Sequence, residues 1–223
     1  MQLGVIFDMD GVLVLTEEAH WLSWQDVAKS RGVDLEYQTF LSCFGRVNAD
    51  CIRIMFGDAI PPAEALSIAD AKEAAFRELV RKNVPLAPGT TPLLQSLRAR
   101  GARIGIGSSA PPENVDLVLD AGNIRAYFDA VIDGSQVTRG KPAPEVFLKA
   151  GVGLGVDPRR CAVIEDAPPG IEAARAAGMT AIGVATTHTR DQLAGAGAHA
   201  IFDDVRSLSA ELIASCIDQH GRR

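Results

Sequence analysis

Apolar residues along the chain repeat in two rhythms, and the change between them divides the sequence. From residue 88 onward, short β-branched runs alternate with stretches whose apolar positions recur at helical spacing. The pattern predicts strands at 103–107, 130–132, 161–164, 180–184 and 200–202. Between them it predicts helices at 91–100, 112–121, 144–151, 170–177 and 191–194, with a closing helix at 208–217. Gly101, Gly122 and Gly178 each follow a helix, where a left-handed residue is expected. The glycine-rich stretch 151–155 reads as a turn between helix and strand. Alternating strand and helix predicts an α/β protein with a Rossmann-like, doubly wound parallel sheet.

An earlier strand, at 4–7, stands apart from these. After it comes a stretch from Thr16 to Asn83 with helical periodicity and no strand signal. Trp21, Trp24, Val27 and Ala28 recur at helical spacing, as do Ile68, Ala71, Ala75 and Leu79 in a helix opened by Pro61 and Pro62. The expected organisation is a catalytic core of residues 1–14 and 88–223 with an α-helical cap, 15–87, inserted after the first strand. Hinges are expected near 14–16 and 84–88.

Charge removes several function classes. The 223 residues carry a net charge of −6, and no Lys/Arg cluster supplies the basic face that nucleic-acid binding needs. Arg98, Arg100 and Arg103 read as a solvated helix end. Residues 1–7 lack the basic region of a signal peptide, and no apolar run reaches the ~18 residues of a membrane span. Cys43, Cys51, Cys161 and Cys216 show no CxxC spacing and read as small buried hydrophobes, which implies a reducing, cytoplasmic setting. The oligomeric state leaves no mark in the sequence.

The candidate chemistry lies at the predicted strand ends, which in a parallel sheet line the binding crevice. Asp8 and Asp10 close the first strand within Phe7-Asp8-Met9-Asp10-Gly11. One carboxylate there can attack phosphorus, and the second can move protons to and from the leaving and entering oxygens. Ser108 and Ser109 follow the strand at 103–107 and can cradle phosphate oxygens. Lys141, in Gly140-Lys141-Pro142, can neutralise a transferring phosphoryl group. Glu165 and Asp166 end the strand at 161–164, and paired carboxylates beside Asp8 call for a cation. Asp8, Asp166 and a backbone carbonyl suit an oxygen-only Mg²⁺ site. Taken singly these features also fit a solvated turn, an N-cap or a surface lysine. Four of them in order on one sheet edge make a magnesium-dependent phosphoryl-transfer site for a small phosphorylated metabolite. A binding module that merely senses a phosphorylated ligand would not need both aspartates.

These segments, with Asp-Met-Asp-Gly-Val-Leu at 8–13, Gly-Lys-Pro-Ala-Pro-Glu at 140–145 and the run from Val163 to Met179, resemble the haloacid dehalogenase superfamily over essentially the whole chain. The helical insertion is similar to that of its β-phosphoglucomutase and small-metabolite phosphatase branch. The resemblance implies Asp8 as nucleophile and Asp10 as general acid/base, with Ser108 and Lys141 on phosphate. It implies Mg²⁺ held by Asp8, the Asp10 backbone and Asp166, with Glu165 ligating it or orienting its waters. It also points to Thr16, His20, Arg46, Asn48 and Lys72 as cap or substrate residues. Thr16, His20, Trp24 and Lys72 match the mutase pattern. Leu15, Asn48 and Pro111-Pro112 depart from it, which favours a phosphatase over a sugar phosphate mutase.

Overall fold

A computed structural model describes residues 2–220. Six parallel strands form one sheet: β1 (Gly4–Phe7), β2 (Arg103–Gly107), β3 (Ala130–Ile132), β4 (Cys161–Glu165), β5 (Thr180–Val184) and β6 (Ala200–Phe202), in the order β3-β2-β1-β4-β5-β6. The central strands are apolar throughout because helices cover both faces. Val5, Phe7, Ile104 and Ile106 pack beneath α5 (Thr90–Ala99), α6 (Pro112–Ala121) and α10 (Ala210–His220). Ile6, Val163 and Ala181 pack beneath α7 (Glu145–Leu154), α8 (Pro168–Ala176) and α9 (Arg190–Gly195). Phe7 stands opposite Ile106 on one side and Ile164 on the other. That register releases Asp8 and Glu165 at one level of the same sheet edge, with Ser108 one residue beyond it.

Between β1 and α5 lie α1 (Glu17–Ser30), α2 (Tyr37–Cys43), α3 (Asn48–Phe56) and α4 (Pro62–Val80). They share their own apolar cluster, with Trp24, Phe40, Ile52 and Ile68 buried in it and Trp21 packed against it. The chain leaves and re-enters the sheet layer side by side. Val14 bridges Leu86 in antiparallel fashion, the Leu15 amide donates to the Pro85 carbonyl at 2.8 Å, and the Ala87 amide to that of Leu13 at 2.9 Å.

The strands lie where the apolar runs place them, while several details differ from expectation. The buried face of α4 is Ile68, Lys72, Glu73, Phe76 and Val80, and Leu79 is half exposed. The apolar series Ile68, Ala71, Ala75, Leu79 therefore does not mark the inner face. Gly122 keeps right-handed helical geometry, and the left-handed turn falls one residue later, on Asn123 at φ 54°. Gly151 and Gly153 are helical members of α7, where a Cβ on Gly153 would come within 2.8 Å of the Ala130 Cβ. Only Gly155 of that stretch turns left-handed. Arg98 and Arg103 are not simply solvated: both bond Asp129, and Arg100 pairs with Glu211. The four cysteines are buried and free, and no described helix is long and apolar enough to cross a membrane. Met1 lies outside the described residues.

Candidate active site

The strand ends and the helical unit meet at a crevice lined from both sides, by Asp8, Asp10 and Ser108 on one and by Phe44, Arg46 and Lys72 on the other. Its floor is a buried ionic cluster. Lys141 is fully buried and its Nζ donates to Asp8 Oδ1 at 2.6 Å and to Glu165 Oε1 at 2.8 Å. The other Glu165 oxygen accepts the backbone amides of Asp166 and Ala167, both at 2.8 Å. Both Glu165 oxygens thus have partners, one in Lys141 and the other at the start of α8. Burial pushes the Asp8 carboxyl up from 3.8 to about 7, opposed by Lys141 and reinforced by Glu165. Burial likewise raises Asp166, with the Glu165 and Asp8 charges adding to it. Burial alone would lower Lys141, but its two carboxylate partners outweigh that and hold it above the ordinary lysine value.

Asp8, Glu165 and Asp166 each present an oxygen within 4.8 Å of the others. Asp166 Oδ2 accepts from the Thr187 hydroxyl, whereas Oδ1 is buried with no partner among the described residues. A buried carboxylate oxygen left unpaired is costly. An oxygen-only donor set with an orphaned, fully buried oxygen fits a hard divalent cation. Gly11, at φ 81°, makes the turn possible, since a Cβ there would fall on the Asp166 carboxylate.

Asp10 points the other way, to the helical unit. Its Oδ1 accepts from the Thr16 hydroxyl at 2.5 Å and faces His20 Nε2 at 3.1 Å. Burial would raise its carboxyl, yet His20 and Thr16 bring it below the ordinary value. Lys72 Nζ lies 2.7 Å from His20 Nδ1. An ammonium has only protons to offer, so Nδ1 accepts and Nε2 carries the hydrogen donated to Asp10. Both of these contacts fall on Oδ1, and Asp10 Oδ2 has no hydrogen bond among the described residues.

Of the residues singled out in the sequence, His20, Arg46, Asn48, Lys72, Ser108 and Ser109 line the crevice with Asp8 and Asp10. Thr16 sits behind Asp10, while Lys141, Glu165 and Asp166 lie beneath. The Ser108 Oγ accepts from the Ala110 amide, and the Ser109 hydroxyl donates across to the Gly45 carbonyl in the helical unit at 2.8 Å. Asn48 donates to Glu73 Oε1 at 2.8 Å. Arg46 Nε is buried and has no hydrogen-bond partner among the described residues. No local pattern in the sequence marks Glu73, Asn114 or Thr187. A polar residue is recognisable through its partners. Although Lys72 adjoins Glu73 and His188 adjoins Thr187, Asn48 and Asn114 lie 25 and 41 residues from Glu73, and Asp166 lies 21 from Thr187.

The haloacid dehalogenase-like hydrolase family matches residues 3–178. β-Phosphoglucomutase of Bacillus subtilis is 35% identical over 188 residues, covering 81% of this chain and 82% of its own. Fructose-1-phosphate phosphatase of Escherichia coli is 34% identical over 188 residues, covering 81% and 95%. A crystal structure of β-phosphoglucomutase from Clostridium difficile superposes with a TM-score of 0.91 at 27% identity, covering 100% of both chains. Fold and site together define a hydrolase of α/β architecture with an acidic strand-end centre. The chain belongs to the haloacid dehalogenase-like hydrolases and is an enzyme of the phosphatase type.

Proposed function

We propose that the chain is a Mg²⁺-dependent phosphomonoester hydrolase acting on a small phosphorylated metabolite, a sugar monophosphate in the first instance. The observation that carries this reading is Asp8, held at 2.6 Å by a fully buried lysine beside an orphaned Asp166 oxygen, with Asp10 Oδ2 open above. Asp8 Oδ attacks phosphorus, the bond to the leaving oxygen breaks, and Asp10 gives that oxygen its proton. The substrate's own negative charge beside Asp10 favours the protonated form that this step needs. Asp10 then takes a proton from the water that attacks the aspartyl-phosphate, which releases inorganic phosphate and restores Asp8. Lys141, Ser108 and the backbone after it neutralise and orient the phosphoryl oxygens. Asp8, Asp166 and the Asp10 carbonyl would hold Mg²⁺, which supplies charge neutralisation between nucleophile and phosphate.

The E. coli relative's name supports a sugar phosphate as substrate, and the B. subtilis relative's name supports the mutase alternative. Asn48 favours hydrolysis. It is spent on the Glu73 carboxylate, which Lys72 also bonds, so both side chains are already engaged at the wall where a second phosphate would have to be gripped. The helical unit would act as a cap, 15–87, opening about the paired segments at Val14 and Leu86.

The test is phosphate release from a panel of sugar phosphates, nucleotides and small phosphorylated acids, with and without Mg²⁺, using Asp8→Asn as the blank. Metal-dependent release that the variant lacks is expected. Conversion of β-glucose 1-phosphate to glucose 6-phosphate without free phosphate would replace this reading with the mutase, and turnover by Asp8→Asn would end the covalent mechanism.

A further inference from the structure

Helix α4 turns two charged residues inward where an amphipathic helix ordinarily turns apolar ones. Lys72 is 2% exposed and Glu73 6%. Burying a carboxylate is unfavourable unless its oxygens are bonded, and those of Glu73 are. Oε1 accepts from Lys72 Nζ at 2.9 Å and Asn48 Nδ2 at 2.8 Å, and Oε2 from Asn114 Nδ2 at 2.6 Å. Burial would raise its carboxyl, but Lys72 outweighs that and keeps Glu73 below the ordinary value.

Asn114 belongs to the sheet layer, in the first turns of α6, and is fully buried. Its Oδ1 accepts from Arg77 NH1 at 3.0 Å. A guanidinium only donates and a carboxylate only accepts, so the amide has a single orientation. Glu73 and Arg77 lie one turn apart on α4 and grip this one core side chain from both ends.

The bonds form a continuous line: Asn114 to Glu73, Glu73 to Lys72, Lys72 to His20, His20 to Asp10. Its middle links join α4 to α1, both within the helical unit. The two outer links alone cross to the sheet layer, one at Asn114 and one at Asp10. Phe76 stacks on His20 with ring centres 4.0 Å apart, so the imidazole has little freedom of its own. Its distance to Asp10 is therefore set by how the whole unit is seated. Asn114, bonded by both Glu73 and Arg77, is a buried contact of that seat beside those of Ser109 with Gly45 and His188 with Leu41.

We propose that Asn114 and Glu73 are positioning residues for Asp10, so that Asp10 is aligned for proton transfer only when the helical unit is docked on α6. The proposal rests on Asp10 being the proton carrier. Neither residue touches the reacting atoms, and both act through Lys72 and His20.

The experiment compares leaving groups in Asn114→Ala, Glu73→Gln, Asp10→Asn and Leu79→Ala, the last on the exposed face of α4. The substrates are p-nitrophenyl phosphate, whose phenolate departs unprotonated, and fructose 1-phosphate or whichever sugar monophosphate of the panel turns over fastest. The readout is kcat/KM, which ends at the first irreversible transfer. Asn114→Ala and Glu73→Gln should lose about tenfold or more on the sugar phosphate and under about threefold on the aryl phosphate, as weakened acid catalysis requires. Asp10→Asn should show the same asymmetry more strongly, and Leu79→Ala none. Equal losses on both substrates, or none, with Asp10→Asn still asymmetric, would overturn the positioning role alone. A symmetric Asp10→Asn would overturn the proton-carrier reading, and this proposal with it. Thermal melts accompany each variant: if Asn114→Ala does not fold, Glu73→Gln, of the same volume, decides. Unfolding of both would show a purely structural pair and also overturn it.

Discussion

Replacing Lys141 by Met tests the electrostatic account of the cluster most directly. The substitution keeps the stem that lies against the Phe147 ring, whose centre is 4.8 Å from Nζ, and removes only the ammonium. Asp8 and Glu165 then lose a partner at 2.6 and 2.8 Å, and three carboxylates remain within 4.8 Å of one another. Removing one partner of a buried ion pair costs about 3–5 kcal/mol. With about 2.1 cal/mol/K of unfolding entropy per residue over 223 residues, that lowers Tm by about 6–11 °C. The charge origin has a signature. At pH 8 without metal the loss should be full, and at pH 5, below the Asp8 value of about 7, protonation should remove much of it. Calorimetry of both proteins at the two pH values, with and without Mg²⁺, reads the effect, and the metal should restore part of the loss at pH 8. A shift below about 2 °C at pH 8, or an equal shift at pH 5, would refute the reasoning and leave only lost packing.

Other consequences are smaller in scope. The folded state of the metal-free protein holds the Asp8 proton up to pH about 7, against 3.8 for the ordinary group, so that stability is fully present below 3.8 and lost as pH rises through 7. A metal must displace that proton, so the rise in Tm on adding Mg²⁺ should grow between pH 5 and 8, and a constant increment would contradict the shift. Asp10→Asn should lower turnover by about 10²–10⁴-fold, and a loss under tenfold would remove Asp10 as the proton carrier. Gly107→Ala would set a Cβ 2.7 Å from Phe147 Cδ1 and 2.9 Å from Cε1, in the ring that lies under Lys141. It should cost about 1–3 kcal/mol in urea unfolding, and a cost below 0.5 would show that the ring yields freely.

The sheet was legible because burial on both faces writes continuous apolar runs, and Phe7, Ile106 and Ile164 are simply their last members. The candidate site was legible where it hugs those ends, as at Asp8 and Asp166, whereas Lys141 lies nine residues beyond the end of β3 and shows only in its Gly-Lys-Pro setting. Helix α4 lies where its periodicity predicts, but that periodicity does not mark the buried face, for a physical reason. Periodicity scores apolar side chains only, and this helix buries Lys72 and Glu73 while leaving Leu79 half exposed. Nothing local marks Asn114 as their partner 41 residues away. Asn123 took the left-handed turn assigned to Gly122 because Gly122 is still within reach of the Val118 carbonyl, to which its amide donates at 2.9 Å.

The paired exit and return of the chain at Val14 and Leu86 bear on how such a protein can change over time. The two crossings of the boundary lie side by side, held by a short antiparallel pairing rather than by any strand of the sheet. Everything between them could be lengthened, exchanged or replaced by a brief turn with the six-stranded order intact, because loop closure between neighbouring ends costs little. The chain thus carries its strand-end carboxylates and its four-helix unit on separately replaceable pieces, which can diverge at different speeds.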